Sequence, residues 1–281
     1  MKKNASFLQG IIDMHVHSAP DIFPRKLDGI DLVKKMKSVG IGGVLLKSHH
    51  TLTADMAWLI RKIEPDFEVH GSVTLNIPAT GGLNPQAVET AIKLGAKEVW
   101  MPTISSAHHM RYEGNDPSKG LTILNKNGEM IPEVVEILNM IADADIILGT
   151  GHLSVDECTE LVDTARRIGV KKILITHPEW EMIKTPVEVQ VELARKGAFL
   201  EHCHYATTEL GGKLNPREIA LQIRAVGAEH CVMATDHGHK LISDPIDGMR
   251  DYIEEMMKCG ISEREIEKMT KENPRQLLGI R

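Results

Sequence analysis

The 281-residue sequence predicts a single (β/α)8 barrel, the TIM-barrel fold, spanning residues 1–281. Three observations predict it. Short β-branched runs alternate with amphipathic helical runs along the whole chain. The same helix start and stop signals recur between them. No shift in composition divides the chain into separate domains. The length agrees, since such barrels run to about 250 residues, and a chain of this size buries roughly 75% of its unfolded surface. Aromatic residues make up only 4% of the sequence, so Val, Ile, Leu, Met and Ala must fill the core.

The first strand is read at 11–18, "IIDMHVHS". Side chains alternate on a strand, so Asp13, His15 and His17 are expected on one face and Met14 and Val16 on the other. Further strands are read at 42–49, 68–76, 97–103, 146–152, 172–178, 198–204 and 231–236. Helices between them end in Gly40, Gly95, Gly169, Gly197 and Gly227, natural left-handed caps. Others open with "NPQA", "TPVE", "NPRE" and "DPID", each an N-cap residue before a proline at the first helical position. "SVDE" and "SERE" read as capping boxes. Val88, Ala91 and Ile92 share one helix face. So do Leu161, Val162, Ala165 and Ile168, and Met249, Tyr252, Ile253, Met256 and Met257. Methionines and leucines at this spacing read as core. A doubly wound open sheet would carry a Gly-rich phosphate turn after strand one, and "HVHSAPDIFPRKLDG" has none. A longer insertion at 104–130 follows strand four, on the face where such loops form lids or bind substrate.

Composition narrows the function. Net charge is −6 with no Lys/Arg cluster, which does not support a nucleic-acid footprint. Cys158, Cys203, Cys231 and Cys259 form no CxxC pair and no disulfide framework, so reduced thiols in a cytoplasmic protein are expected. The apolar run in "MKKNASFLQGII" is too short for a signal peptide, and nothing approaches the ~18 apolar residues of a membrane span.

Barrels of this kind place their chemistry at the C-terminal ends of the strands. Strand one ends in His15 and His17. Strand two ends in Lys47 and His49, which share a face. Strand five ends in His152, strand six in His177, and strand seven in His202 and His204. Strand eight ends in Asp236, followed by His237 and His239. Each part alone has a plain structural reading, because a lone HxH is more often structural and an Asp at a strand end can cap a helix. Together they gather histidine and aspartate at one mouth from six strands, which is the chemistry of a divalent-metal site.

On "DMHVH", "TGH", "THP" and "ATDHG" the sequence resembles the amidohydrolase superfamily, and "ENPRQLLGI" resembles the C-terminal helix that often closes those barrels. The resemblance spans essentially the whole chain. It implies that His15, His17 and Asp236 hold one divalent metal and that His152 and His177 hold or neighbour a second. Such an ion lowers the pKa of the water it binds to ~7, and Asp236 can take the proton as that water attacks. The second metal, or His177, would polarise the bond being broken. Members with two metals usually bridge them with a carboxylated lysine or a glutamate from strand four. Here strand four, "KEVWMPT", offers Met101 or Thr103. Three readings follow: a carbamate on Lys47, Lys47 as a substrate-binding cation, or a mononuclear site of His15, His17, His152 and Asp236 with His177 as acid/base.

His49, His202 and His204 are expected to line the substrate pocket or extend the metal cluster, with Arg25 in the first loop contacting an anionic substrate. His108, His109, Arg111 and Tyr112 are weaker substrate contacts, read singly as solvent-exposed. Asp21 is expected to orient a ligand histidine. Asp13 is expected to be structural, and Glu201 to face the helix layer because its parity opposes that of His202.

The leading expectation is a metal-dependent hydrolase acting on an amide, lactone or related bond in a small molecule. Zinc is the first metal, with manganese, iron, cobalt and nickel also suited to these ligands. A mononuclear decarboxylase similar to aminocarboxymuconate semialdehyde decarboxylase is the nearest alternative. A histidine-rich phosphoesterase similar to the polymerase-and-histidinol-phosphatase family is opposed by the eight-strand count. A non-catalytic binding barrel would hold metal without an open position. No nucleic-acid or membrane partner is expected. Apolar residues in the 104–130 insertion would serve a homo-oligomer interface.

Overall fold

The computed structural model describes residues 7–280. The two lysines near the start of "MKKNASFLQGII" lie outside them. Eight parallel strands pair in chain order: β1 Ile12–His17, β2 Gly43–Lys47, β3 Glu68–Thr74, β4 Glu98–Trp100, β5 Ile147–Gly149, β6 Lys172–Thr176, β7 Phe199–Cys203 and β8 Cys231–Ala234. Helices follow the strands, and the architecture is a (β/α)8 barrel. The barrel closes just beyond β8, where Asp236 N donates to His15 O at 2.8 Å and His17 N donates to His237 O at 2.8 Å.

Two apolar layers build the core. The outer layer packs helices on strands. It takes in Val88, Ala91, Leu161, Val162, Ala165, Met249, Tyr252, Ile253 and Met256, the helix faces read from periodicity. The inner layer fills the barrel with Ile12, Met14, Leu45, Trp100, Ile147, Leu174, Phe199, Val232 and Ala234. Leu277 and Leu278 of the helix Asn273–Leu278 join that inner layer. Asn273 Nδ2 ties this helix to the carbonyls of Ala228 and Cys231, which precede and start β8. The helix therefore plugs the barrel at the N-terminal ends of its strands, away from the mouth.

The helix signals act as expected. Gly40, Gly95, Gly169, Gly197 and Gly227 all have positive φ. Asn84, Asn215 and Asp244 cap helices whose first residue is proline. Both capping boxes form. "TPVE" differs: its helix is Val187–Arg195, with Pro186 at the cap position, and Thr185 offers its carbonyl to Gln190 instead.

Strand one also differs. A bulge lies between Asp13 and Val16 in the β1–β2 pairing. The extra residue breaks simple alternation. Met14 joins the barrel interior and Val16 the outer layer. Asp13 turns to β8, accepting from Thr235 N at 3.0 Å and Thr235 Oγ1 at 2.6 Å. It thus braces the strand end that carries Asp236.

Among the described residues no helix is long and apolar enough to cross a membrane. All four cysteines are free thiols.

Helix and sheet approach closely at Gly71 of β3. A Cβ there would lie 2.4 Å from Thr53 O and 2.4 Å from Ala54 Cα, both backbone atoms. Gly71→Ala is expected to destabilise the barrel by about 1–3 kcal/mol, read as a lowered denaturation midpoint with unchanged slope. A midpoint equal to wild type would refute this packing.

Candidate metal centre at the barrel mouth

His177 directly follows β6 and Asp236 lies two residues past the end of β8, and both hold left-handed backbone, with φ of 29° and 54°. Such φ values are uncommon for non-glycine residues and tend to cluster at functional sites. His15 Nε2 lies 3.0 Å and His17 Nε2 3.2 Å from Asp236 Oδ1. Lys47 Nζ arrives from β2, 3.0 Å from His15 Nε2 and 4.2 Å from the centre of the Trp100 ring. His177 completes the group, its ring 6.1 Å from that of His15 and 5.0 Å from that of His152.

Behind His15 lies a carboxylate. Glu201 Oε2 stands 3.0 Å from His15 Nδ1 and fixes that ring's orientation. Glu201 was expected to face the helix layer. In the structure β7 runs with the opposite parity: Phe199 and Cys203 belong to the barrel interior and Leu200 to the outer layer. The same parity removes two predicted pocket residues. His202 is fully buried with Nδ1 3.0 Å from Glu179 Oε2. His204 stacks between His237 and Tyr252 in a separate hollow beside Glu255. Neither lines the mouth. The pattern "EHCH" misled because its histidines hid the two residues that do point inward, Glu201 and Cys203. Cys203 Sγ sits 3.8 Å from His15 Nδ1. With His15 and Asp236 it forms the one group of three metal-capable side chains among the described residues. Burial pushes its thiol well above the usual range, so it packs as a neutral group.

Strand four holds a carboxylate after all, but a deep one. Glu98 is fully buried, and neither of its oxygens has a partner. Burial, with Glu201 nearby, pushes its carboxyl well above the usual range. Gly149 of β5 leaves room for it, since a Cβ there would stand 2.5 Å from Glu98 Oε1. At the level of the mouth β4 leads only to Met101 and Thr103.

The surrounding cleft has a volume of 690 Å³. His17, Arg25, Lys47, His49, His152 and Asp236 line it together with Phe23, Tyr112, Trp180 and Tyr205. Four of the chain's ten Phe, Trp and Tyr residues thus meet at one opening. Trp180 presents its edge to His177 at 4.9 Å. His49 Nδ1 pairs with Thr103 Oγ1 at 2.8 Å. Asp21 serves a different partner than expected: it holds Arg25 and His50, and Arg25 in turn reaches His17. The 104–130 insertion docks through the helix Ala107–Tyr112. Ser106 Oγ donates to His152 O, His109 Nδ1 meets His152 Nδ1 at 2.8 Å, and His108 Nε2 meets Met182 O at 2.8 Å. His109 was thus underread, and no sequence spacing signals its contact with His152. Arg111 stays exposed, away from the cleft.

The pairings of Asp236 with His15 and with His17 each have a spacing that suits a divalent ion. Ligands at about 2.1 Å in tetrahedral or octahedral array lie about 3.0–3.4 Å from one another, the spacing seen around Asp236 Oδ1. His177 is buried with both ring nitrogens unpartnered, which leaves a nitrogen for an ion or a bound molecule. Burial opposes charge on Asp236, but the facing His15 and His17 outweigh it and hold the carboxyl well below its usual range. Burial lowers His177 to about 3. Burial, with Arg25 beside it, lowers His17 to about 3.

A family model described as a family of unknown function, DUF6282, matches residues 10–201. The chain belongs to that family. Among curated proteins none matches by sequence. Solved structures share the fold. A probable dipeptidase from Pseudomonas aeruginosa matches at TM-score 0.69 and 11% identity, covering 99% of this chain and 96% of that one. A probable 2-pyrone-4,6-dicarboxylic acid hydrolase from Acinetobacter baumannii matches at 0.62 and 13%, covering 97% and 100%. A dihydroxybenzoic acid decarboxylase from Polaromonas, solved with bound manganese and 2-nitroresorcinol, matches at 0.64 and 13%, covering 96% and 97%. A Pseudomonas aeruginosa structure described as an amidohydrolase is also among them. The (β/α)8 architecture read from the alternating strand and helix runs is thus the one these structures share.

Burial predicts a pH dependence. His17 and His177 at about 3, His70 and His237 at about 4, and His49 and His152 well below 6.5 all refuse protons that the unfolded chain accepts. Stability therefore falls as pH drops below about 6.5, by about 1.4 kcal/mol per pH unit for each proton. Asp13, raised to about 7, and the raised Glu98 and His15 act in the opposite sense but are outnumbered. Urea midpoints of the metal-free protein are expected to be lower at pH 5 than at pH 7. Equal midpoints would mean the rings are not held neutral.

Proposed function

We propose that this protein is a metal-dependent hydrolase that uses water to cleave an amide, lactone or related bond in a small molecule. The observation that carries the reading is the convergence of His15 Nε2 and His17 Nε2 on Asp236 Oδ1 at the strand ends. His15, His17 and Asp236 would hold the ion, with His152 and His177 beside it. When bound, a divalent metal supplies Lewis acidity, which lets water lose its proton near neutral pH. Zinc and manganese both suit imidazole and carboxylate ligands.

The chain's own groups have distinct tasks in this reading. Asp236, ionised at neutral pH, accepts the proton of the attacking water. Glu201 holds His15 by its far nitrogen, which presents Nε2 to the centre. His177, neutral at pH 7, donates an N–H hydrogen bond to the substrate oxygen on which charge develops. Trp180 packs edge to face against His177 beside the substrate oxygen. Lys47 is placed to meet an anionic group. A carbamate on its amine would supply from β2 the oxygen ligands that β4 lacks at the mouth.

Decarboxylation of a small unsaturated carboxylate is a second reading. The absence of a bridging carboxylate at the end of β4 and the four aromatic rings of the cleft favour it. One of the structural neighbours is a manganese-bound decarboxylase.

The test is turnover by protein loaded with zinc or manganese, offered lactones and amides beside hydroxybenzoates. Ring opening or amide cleavage is expected, falling roughly 10²–10⁴-fold in Asp236→Asn. Carbon dioxide release from the hydroxybenzoates alone would replace the hydrolase by the decarboxylase. Full activity in Asp236→Asn would overturn both.

A further inference from the structure

The helix Ala54–Ile63 carries apolar residues on both of its faces. Ala54, Ala57 and Ile60 are buried against the barrel, as expected of a surface helix. Yet on the opposite face Trp58, Leu59 and Ile63 are 51%, 57% and 50% exposed. Among the described residues no other helix exposes more than one large apolar side chain to this degree. Trp58 stays open even though Lys62 lies over it, with Nζ 5.0 Å from the ring centre. The 104–130 insertion, read above as an interface, exposes only Tyr112 among its large apolar residues, and Tyr112 lines the cleft.

The exposed face is complementary to itself in reverse. Helix positions three, four and seven apart lie on one side, so residues 55, 58, 59 and 62 form a single stripe. In chain order the stripe reads Asp55, Trp58, Leu59, Lys62: an acid, two apolar groups and a base, all exposed. A second copy, turned end for end about the midpoint of Trp58 and Leu59, sets its Lys62 against Asp55 and its Leu59 against Trp58. The same two pairings recur at the other end. Neither Asp55 nor Lys62 has an ion-pair partner within the described chain. Two-fold interfaces need this kind of self-complementarity. A parallel pairing would set Asp55 on Asp55 and Lys62 on Lys62, which like-charge repulsion opposes.

We propose that this helix is the interface of a two-fold homodimer, packing antiparallel on its own copy across Trp58 and Leu59. The aromatic ring supplies the buried anchor, and the terminal charges set the direction. The helix packs on the outer wall of the barrel at Gly71, so the dimer leaves the mouth open. The proposal does not depend on the metal-site reading.

Sedimentation velocity over about 1–100 µM protein tests it. The wild type should pass from monomer to a species of twice the chain mass. Asp55→Lys and Lys62→Asp each set like charges together at both ends, so each alone should weaken the dimer on the order of tenfold or more. An equal mixture of the two variants should dimerise again, because one chain is then basic at both ends of the stripe and the other acidic. Trp58→Ala should weaken the dimer without rescue by either variant. All these side chains are exposed, so urea midpoints should confirm that the variants fold. A wild type that stays monomeric throughout overturns the proposal. So does a dimer of undiminished strength in both charge variants, or a mixture that remains monomeric.

Discussion

The seam between β1 and the end of β8 is the constraint on which the site depends. Two backbone hydrogen bonds, Asp236 to His15 and His237 to His17, close the barrel there. They also set the register that brings a carboxylate from residue 236 against imidazoles from residues 15 and 17. Asp13 reinforces the seam through Thr235, and the bulge in β1 frees Asp13 to do so while both histidines still meet Asp236. Closure of the fold and assembly of the donor set are one event. A slip of one residue at this seam would open the barrel and scatter the donors together.

Beneath the donors the barrel buries an unusual polar layer: Lys47, Glu98 and Glu201 are all essentially inaccessible. Such groups are costly to bury unless they are paired or neutralised. Burial lowers the Lys47 amine and raises the Glu98 carboxyl, both toward their neutral forms. Glu201 is satisfied on one oxygen by His15. A cation at the mouth would add positive charge above this layer, where Asp236 and Glu201 otherwise face His15 from two sides. Stability has been spent on a polar interior that an apolar core would not need, a pattern that recurs at functional sites.

Much of this was legible in the sequence. Glycine caps and Asn-Pro or Asp-Pro starts located the helices, because those residues act through their own backbone. The strand-end positions of His15, His17, His152, His177 and Asp236 were legible because parallel barrels put all such ends at one mouth. Parity was not. The bulge that reorients Asp13 inserts a residue that no local pattern marks, and in β7 the choice between "E-C" and "H-H" facing inward depends on which set packs the interior. Glu98 was missed because its depth in β4, and the space Gly149 leaves for it, exist only once β5 lies alongside. His109 and Arg25 reach their histidines through loops, whose paths depend on tertiary contacts rather than on periodicity.

The central claim is that the seam holds one divalent cation between His15, His17 and Asp236. Anomalous diffraction from crystals of the manganese-loaded protein tests it directly. The account predicts a peak at coordination distance, about 2.0–2.2 Å, from His15 Nε2 and Asp236, with His17 Nε2 turned to it. A manganese ion found only elsewhere, such as the hollow beside His204 and Glu255, would contradict it.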